Sequence, residues 1–426
     1  MKKLTILLGL LVSTYGPPAL AHDNAEELQA LNLKIQALSQ RLDALDQSGQ
    51  KKAQDPDQVP VTTMAWVDEV IEDKVGEAVS VQVNERMAAV SWAERMRWAG
   101  ELRYRFEDIE VDGTNSRTRS RIQARAKLQA GVSENMQLGL GLASGDDNPR
   151  TANQTLGGGG STKDLRLDLA YFDWSGPAGT RILGGKFENF LVRPGKNGLL
   201  WDGDWRPEGI GANWNNSTFF ANALGTWLES DSSNGDELAW VAQAGMNFNS
   251  GGSTHSRIGL SYAQFDTAGS GSFFGDDDDF FGNSFDPDTL SYLHDYHMIE
   301  AFAELTIDLA DRPLMLFADY VTNTAVNVND SGYALGFQYG KASGRGTWDI
   351  AYVYENLEAD AAYGQLTDSD IGGGGSDVKG SIFKGTWAFH ENWNARIIYF
   401  LNEFDMASGN PRDLDRVRID LNFKYK

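Results

Sequence analysis

From Trp98 to the C-terminus, apolar and polar residues alternate with a period of two, and that period constrains the fold more than any other feature. Successive side chains of a strand point to opposite faces, so each run becomes a ribbon with one apolar and one polar face. Leu102, Tyr104 and Phe106 alternate with Glu101, Arg103, Arg105 and Glu107. Ile122, Ala124, Ala126 and Leu128 alternate with Arg117, Arg119, Arg121, Gln123, Arg125, Lys127 and Gln129. At the far end, Val417, Ile419, Leu421, Phe423 and Tyr425 alternate with Arg416, Arg418, Asp420, Asn422 and Lys424.

A soluble sandwich also alternates, so length and connection pattern must decide. Many runs reach ten residues, as a tilted membrane span requires, whereas soluble strands average about five or six. Short turns, such as 132–135 and 175–179, alternate with long polar loops, such as 145–163 and 267–292. Barrels of outer membranes show the same asymmetry. Aromatic residues fall near strand ends (Tyr171, Trp174, Trp227, Trp240, Tyr262, Trp387, Trp393, Tyr399), where interfacial girdles place them. The predicted strands are 98–107, 117–130, 136–144, 164–174, 180–188, 207–214, 217–228, 237–248, 255–265, 297–308, 312–323, 332–341, 346–356, 377–388, 393–404 and 414–425. The expected fold is an all-β transmembrane barrel of about 16 antiparallel strands, wide enough for an aqueous lumen.

The N-terminus carries export features. Lys2 and Lys3, the apolar run Leu4 to Val12 and Ala19-Leu20-Ala21 read as a secretory signal over 1–21. Leu28, Leu31, Ile35, Leu38, Leu42 and Leu45 are spaced as a heptad seam, predicting a short α-helical coiled coil over 22–46. A linker follows over 47–62, then a helical segment over 63–95 and the barrel over 96–426. Three heptads are too short to hold alone, so the seam needs copies brought together by something else. Cysteine is absent, which leaves barrel closure to do what disulfides do elsewhere. A formal net charge of −23 excludes a nucleic-acid-binding role.

Within the barrel, the polar parity supplies the candidate site. Arg103, Arg105, Arg117, Arg119, Arg121, Arg125, Lys127, Arg416 and Arg418 are expected to line a pore. Facing lipid, each cation costs roughly 2–4 kcal/mol near the midplane, so this face must point inward. The segment 190–211 breaks the alternation at Pro194-Gly195 and carries Trp201 and Trp205. It is expected to fold into the lumen as a constriction loop, with Arg193, Lys196, Asp202, Asp204, Arg206 and Glu208 as its charged groups; an external loop packed on the rim is the alternative. The glycine runs 156–163 and 371–376 read as flexible external loops, since neither has the order of a phosphate-binding loop. Gly275 to Asp279 reads as a solvated acidic loop lacking the spaced acids of an EF-hand. His294 and His297 lie three apart beside Asp295, two imidazoles without a third ligand, so no metal or cofactor is expected. No Ser/His/Asp grouping stands at catalytic spacing, which argues against an enzyme.

The ordering resembles the Putative porin family of Gram-negative outer membranes. The residues that carry the likeness are the heptad Leu28 to Leu45, the strand end Gly185 to Asn189, the stretch Leu200-Trp201-Asp202-Gly203-Asp204-Trp205-Arg206-Pro207-Glu208-Gly209 and the terminal strand Val417 to Tyr425. One departure is Lys426 after Tyr425, where such barrels usually end on an aromatic residue. The resemblance implies a homotrimer in the outer membrane, with its N-terminal helix in the periplasm, through which small hydrophilic solutes or ions diffuse passively. Sugar- and anion-selective porins share the layout. A plugged barrel serving as an envelope anchor, and a barrel enzyme, are the rival expectations.

Overall fold

The computed structural model describes residues 95–231, 235–249 and 254–425. The expected signal peptide, coiled coil and linker, and all but the last residue of the helical segment, lie outside the described residues. Among the described residues, helix is confined to five three-residue 3-10 turns, and no helix is long and apolar enough to cross a membrane.

Sixteen long strands form one antiparallel sheet that closes on itself. The first four are β1 (Met96–Val111), β2 (Arg117–Ser133), β3 (Met136–Ser144) and β4 (Leu165–Ser175). Next come β5 (Thr180–Lys186), β6 (Glu208–Asn215), β7 (Phe219–Asp231) and β8 (Gly235–Asn249). The third quarter is β9 (His255–Phe265), β10 (Tyr296–Leu309), β11 (Arg312–Asn323) and β12 (Ser331–Gly340). The last are β13 (Trp348–Leu357), β14 (Val378–His390), β15 (Trp393–Phe404) and β16 (Arg412–Tyr425). A two-residue strand, Gln154–Thr155, extends the wall beside β2. Closure is direct: β1 pairs with β2 from Met96↔Ala130 to Ile109↔Arg117 and with β16 from Gly100↔Tyr425 to Val111↔Leu414.

Exposure is inverted relative to a soluble protein. Large apolar side chains on one parity are solvent-exposed, among them Leu102, Leu140, Ile210, Leu260, Ile350 and Ile419. The polar parity is buried, with Arg105, Glu107, Gln123, Gln243, Glu300 and Asp420 all under one-tenth exposed. Water does not tolerate a continuous apolar belt of this kind, whereas hydrocarbon does. Trp98, Trp214, Trp387, Trp393 and Phe423 ring the belt at the short-turn end, and Trp227, Trp240 and Tyr320 ring it toward the long-loop end. The belt belongs in lipid, and the buried parity faces the lumen.

Candidate functional site: the lumen wall and two loops inside it

The basic residues of β1, β2 and β16 stand on neighbouring inward positions because pairing places Arg105 opposite Arg121 and Asp420, and Arg418 opposite Glu107. Like charges so close need counter-charge, and it comes from the same parity. Arg105 grips Asp420 in bidentate fashion, at 2.7 Å through Nε and 3.1 Å through Nη2. Arg119 donates to Glu107, which also lies 3.8 Å from Arg416 and 4.0 Å from Arg121. Arg103 donates to Gln123 and, at 2.9 Å, to Asn153. Lys127 pairs with Glu188 at 2.8 Å. Arg117, at the loop end of β2, is exposed. Apart from Arg117, the expected row of cations is therefore a hydrogen-bonded network and not a strip of free charge.

The segment between β5 and β6 leaves the wall at Phe187 and crosses the interior. On one side it hydrogen-bonds inward residues of the far wall: Gly195 N to Glu304 at 2.8 Å, Asn197 Nδ2 to Glu355 at 2.6 Å, and Val192 N to Gln243 at 2.8 Å. On the other side Asp204 accepts from Arg125 of β2 at 2.9 Å. Gly195 has φ of 58°, and a Cβ there would lie 2.3 Å from the ring of Phe317, so only glycine fits this approach to the wall. Trp201 is 1% exposed, stacked on Trp205 at 5.1 Å and against Phe265 at 6.0 Å. Those contacts explain two tryptophans in a polar loop.

Of the charged groups expected here, Lys196 is exposed, and Arg193 donates to the carbonyl of Trp201 at 3.3 Å. Arg206 lies 3.6 Å from Asp168. Glu208 is placed differently: it opens β6 on the parity of exposed Ile210 and pairs with Lys186 at 2.6 Å, so the loop ends one residue before it. Burial, with the charges of Asp368 and Asp204 beside it, pushes the Asp202 carboxyl up to about 8. Its contribution to the packing of the loop is fully present below its ordinary value of 3.8 and is lost as pH rises through about 8. Asp204 goes the other way: burial disfavours its charge, yet Arg125 outweighs that and holds the carboxyl below its ordinary value.

A second segment, 358–377 between β13 and β14, also lies inside. The glycine run 371–376, expected as a flexible external loop, is instead packed: Ile371 is 1% exposed and Gly372 N donates to Asn402 of β15 at 3.1 Å. Four consecutive glycines signalled flexibility, but here they let the backbone press against Val378, Phe404 and Phe281. Asp370 places its carboxylate among three guanidiniums: Arg416 at 3.2 Å, Arg105 at 3.8 Å, and Arg418 in a shorter contact. Burial works against its charge, yet Arg418, Arg105 and Arg416 outweigh it and hold the carboxyl well below the usual carboxylate range. The two loops also hold each other, through Asp202 N to Leu366 O at 2.7 Å, Asp368 N to Gly198 O at 2.9 Å and Ser369 N to Asp202 at 2.9 Å.

Sequence reasoning missed Asp370, because nothing local marks it. It also passed over Glu107 and Asp420, although both share the parity of the arginines they neutralise. The opposite wall carries buried Glu300, Asp319 and Glu355. The lumen thus has a mainly basic wall on β1, β2 and β16, an acidic wall on β10, β11 and β13, and the loop 187–207 between them.

A family model described as "Putative porin" matches residues 110–271 and 281–425. The chain belongs to that family. The matched residues take in nearly all of the porin barrel and both loops inside it. Among solved structures, a high-pH structure of Pseudomonas putida OprB is similar at 13% identity and a TM-score of 0.53, covering 78% of this chain and 95% of that one. A triple mutant of the Rhodopseudomonas blastica porin gives 10% identity and a TM-score of 0.47, covering 78% and 100%. No curated protein matches the sequence. Family and fold together place this porin in the outer membrane and point to a channel and not an enzyme.

Proposed function

We propose that this porin is a homotrimeric passive channel for small hydrophilic solutes and ions, its passage running between the arginine-bearing wall and the loop 187–207. The observation that carries the reading is that loop's span from Glu355 and Glu304 on one wall to Arg125 on the other. Further support comes from three cavities that adjoin one another through shared lining residues. One of about 810 Å³ is lined by Arg125, Asp168, Asp204 and Arg206, and on its other side by Glu208, Ile210 and Trp227 of the outward parity. The next, about 320 Å³, shares Arg125, Asp168 and Arg206 and adds Glu101, Lys127 and Lys424. The third, about 170 Å³, shares Glu101 and Lys424 and adds Arg103 and Arg396 toward the short-turn end. Basic groups facing acidic ones across a narrow space sort permeants by charge as well as by size.

Self-association is supported by the height of the wall. β5 stops at Lys186 and β6 begins at Glu208, while β4 starts at Leu165 and β7 runs on to Asp231. The low stretch is capped by the Lys186–Glu208 pair. Charges at the membrane boundary are best covered by protein, and a neighbouring copy supplies it. The Leu28–Leu45 seam fits the same association.

The basic wall is expected to tune selectivity. Replacing Arg119, Arg121 and Arg125 together by serine removes three lumen cations and leaves Glu107 and Asp204 without these partners. The reversal potential across a salt gradient is expected to move toward cation preference by several-fold in permeability ratio. An unchanged ratio would show that the wall does not select. One observation favours a second reading: the loops 187–207, 266–295 and 358–377 share an apolar core of Trp201, Tyr292 and Tyr363, packed with Phe265 at the end of β9. A barrel plugged by that core would serve as an anchor and pass no current.

A further inference from the structure

We propose that the rim of this porin, at the loop end of β9 and β10, carries a binding site for a borderline divalent metal ion such as Zn²⁺, built by Asp266, Asp295 and His297. In the sequence, His297 has Asp295 two residues before it but no second carboxylate beside it. The fold supplies it from another strand. Phe265 pairs with Tyr296 at the last rung between β9 and β10, so Asp266 and Asp295 flank that rung and His297 stands opposite Gln264. One ligand atom from each of the three residues lies within 4.8 Å of the others.

The donor set has the right chemistry: one imidazole nitrogen and two carboxylate oxygens suit zinc, cobalt or nickel better than calcium. His297 Nε2 and Asp266 Oδ1 are 3.0 Å apart, close to the ~3.4 Å edge expected between two ligands of a tetrahedral site with bonds of about 2.0–2.1 Å. A rotation of the Asp295 side chain closes the third edge. Water completes the shell, since His297 and Asp295 are half-buried and Asp266 is exposed.

The backbone that presents these side chains is fixed. His297 N donates to Asn323 at 2.9 Å, and its carbonyl accepts from Thr324 N at 2.9 Å and Thr324 Oγ1 at 3.0 Å. Asn323, which is 0% exposed, donates to the carbonyl of Asp295 at 3.0 Å, and Asp295 accepts from Ala268 N at 2.9 Å. With the backbone fixed, only side-chain rotations are lost when the ion binds. His297 also shares the parity of exposed Ile299, so the open coordination positions face outward from the barrel and away from the solute path.

Calorimetric titration of the purified full-length protein in detergent with Zn²⁺ tests this. One saturable site per chain is expected, with affinity falling at least tenfold in His297→Ala and in Asp266→Asn and unchanged in His255→Ala. Cobalt(II), added in place of zinc, should give a d–d absorption band that His297→Ala abolishes. Unaltered migration of the folded barrel in gels would show that the variants keep their structure. Absence of saturable binding, or binding that survives both His297→Ala and Asp266→Asn, would overturn the proposal.

Discussion

Replacing Asp370 with alanine is expected to free the loop 358–377 from the barrel wall and to drive the channel toward anions. The carboxylate is the shared partner of Arg105, Arg416 and Arg418, and a backbone link from Arg416 to the Asp370 carbonyl at 2.6 Å adds to the hold. Removing one member of a buried ionic cluster strands the rest, at about 3–5 kcal/mol; a side chain one-quarter exposed belongs at the low end of that range. The sixteen-stranded ladder does not depend on this contact, so the cost should appear as faster hydrogen exchange across 358–377 and not as loss of the barrel. Asp370→Asn separates charge from shape: it should reproduce the shift in reversal potential with a smaller gain in exchange. Because the carboxyl sits well below the usual range, its contribution persists at every pH above that range and fades only in strong acid. If exchange and selectivity both stayed at wild-type values, Asp370 would not be the latch described.

The second large effect is expected from Trp201→Ala. Trp201 is the centre of the apolar core among the interior loops, stacked on Trp205 and packed on Phe265. Truncating a fully buried tryptophan costs about 3–5 kcal/mol, partly as lost burial and partly as the cavity left behind. The contacts of Gly195, Asn197 and Val192 with the far wall would remain, so the loop should detach at its Trp201–Arg206 half, the half that reaches Arg125. Single-channel current should rise and become noisier as that half swings. A steady, unchanged current would mean that 187–207 does not set the narrowest point.

Most of the fold was legible because the side-chain period of a strand is strict. β3, β9, β11 and β15 have the predicted bounds, since apolar belt and hydrogen-bonded ladder end together there. β1 runs to Val111, four residues past its expected end, because pairing with β16 continues beyond the last outward aromatic, Phe106. Pattern reports the lipid, and hydrogen bonding does not need lipid to continue. The inward loop at Pro194-Gly195 was visible as tryptophans in a polar stretch. The loop at 358–377 was not, since its glycines look the same in solvent as against a wall. The counter-charges were half legible: Glu107 and Asp420 follow from parity, whereas Asp370 and the pairing of Asp266 with His297 exist only after distant segments meet.

Whether the interior loops narrow a passage or seal it is decided most directly by planar-bilayer recording from the purified full-length protein. Stepwise conductance rising in groups of three equal increments is the expected result, as three barrels of one trimer open in a single insertion. A membrane that stays silent after the protein has inserted would contradict the channel and leave the plugged barrel in its place.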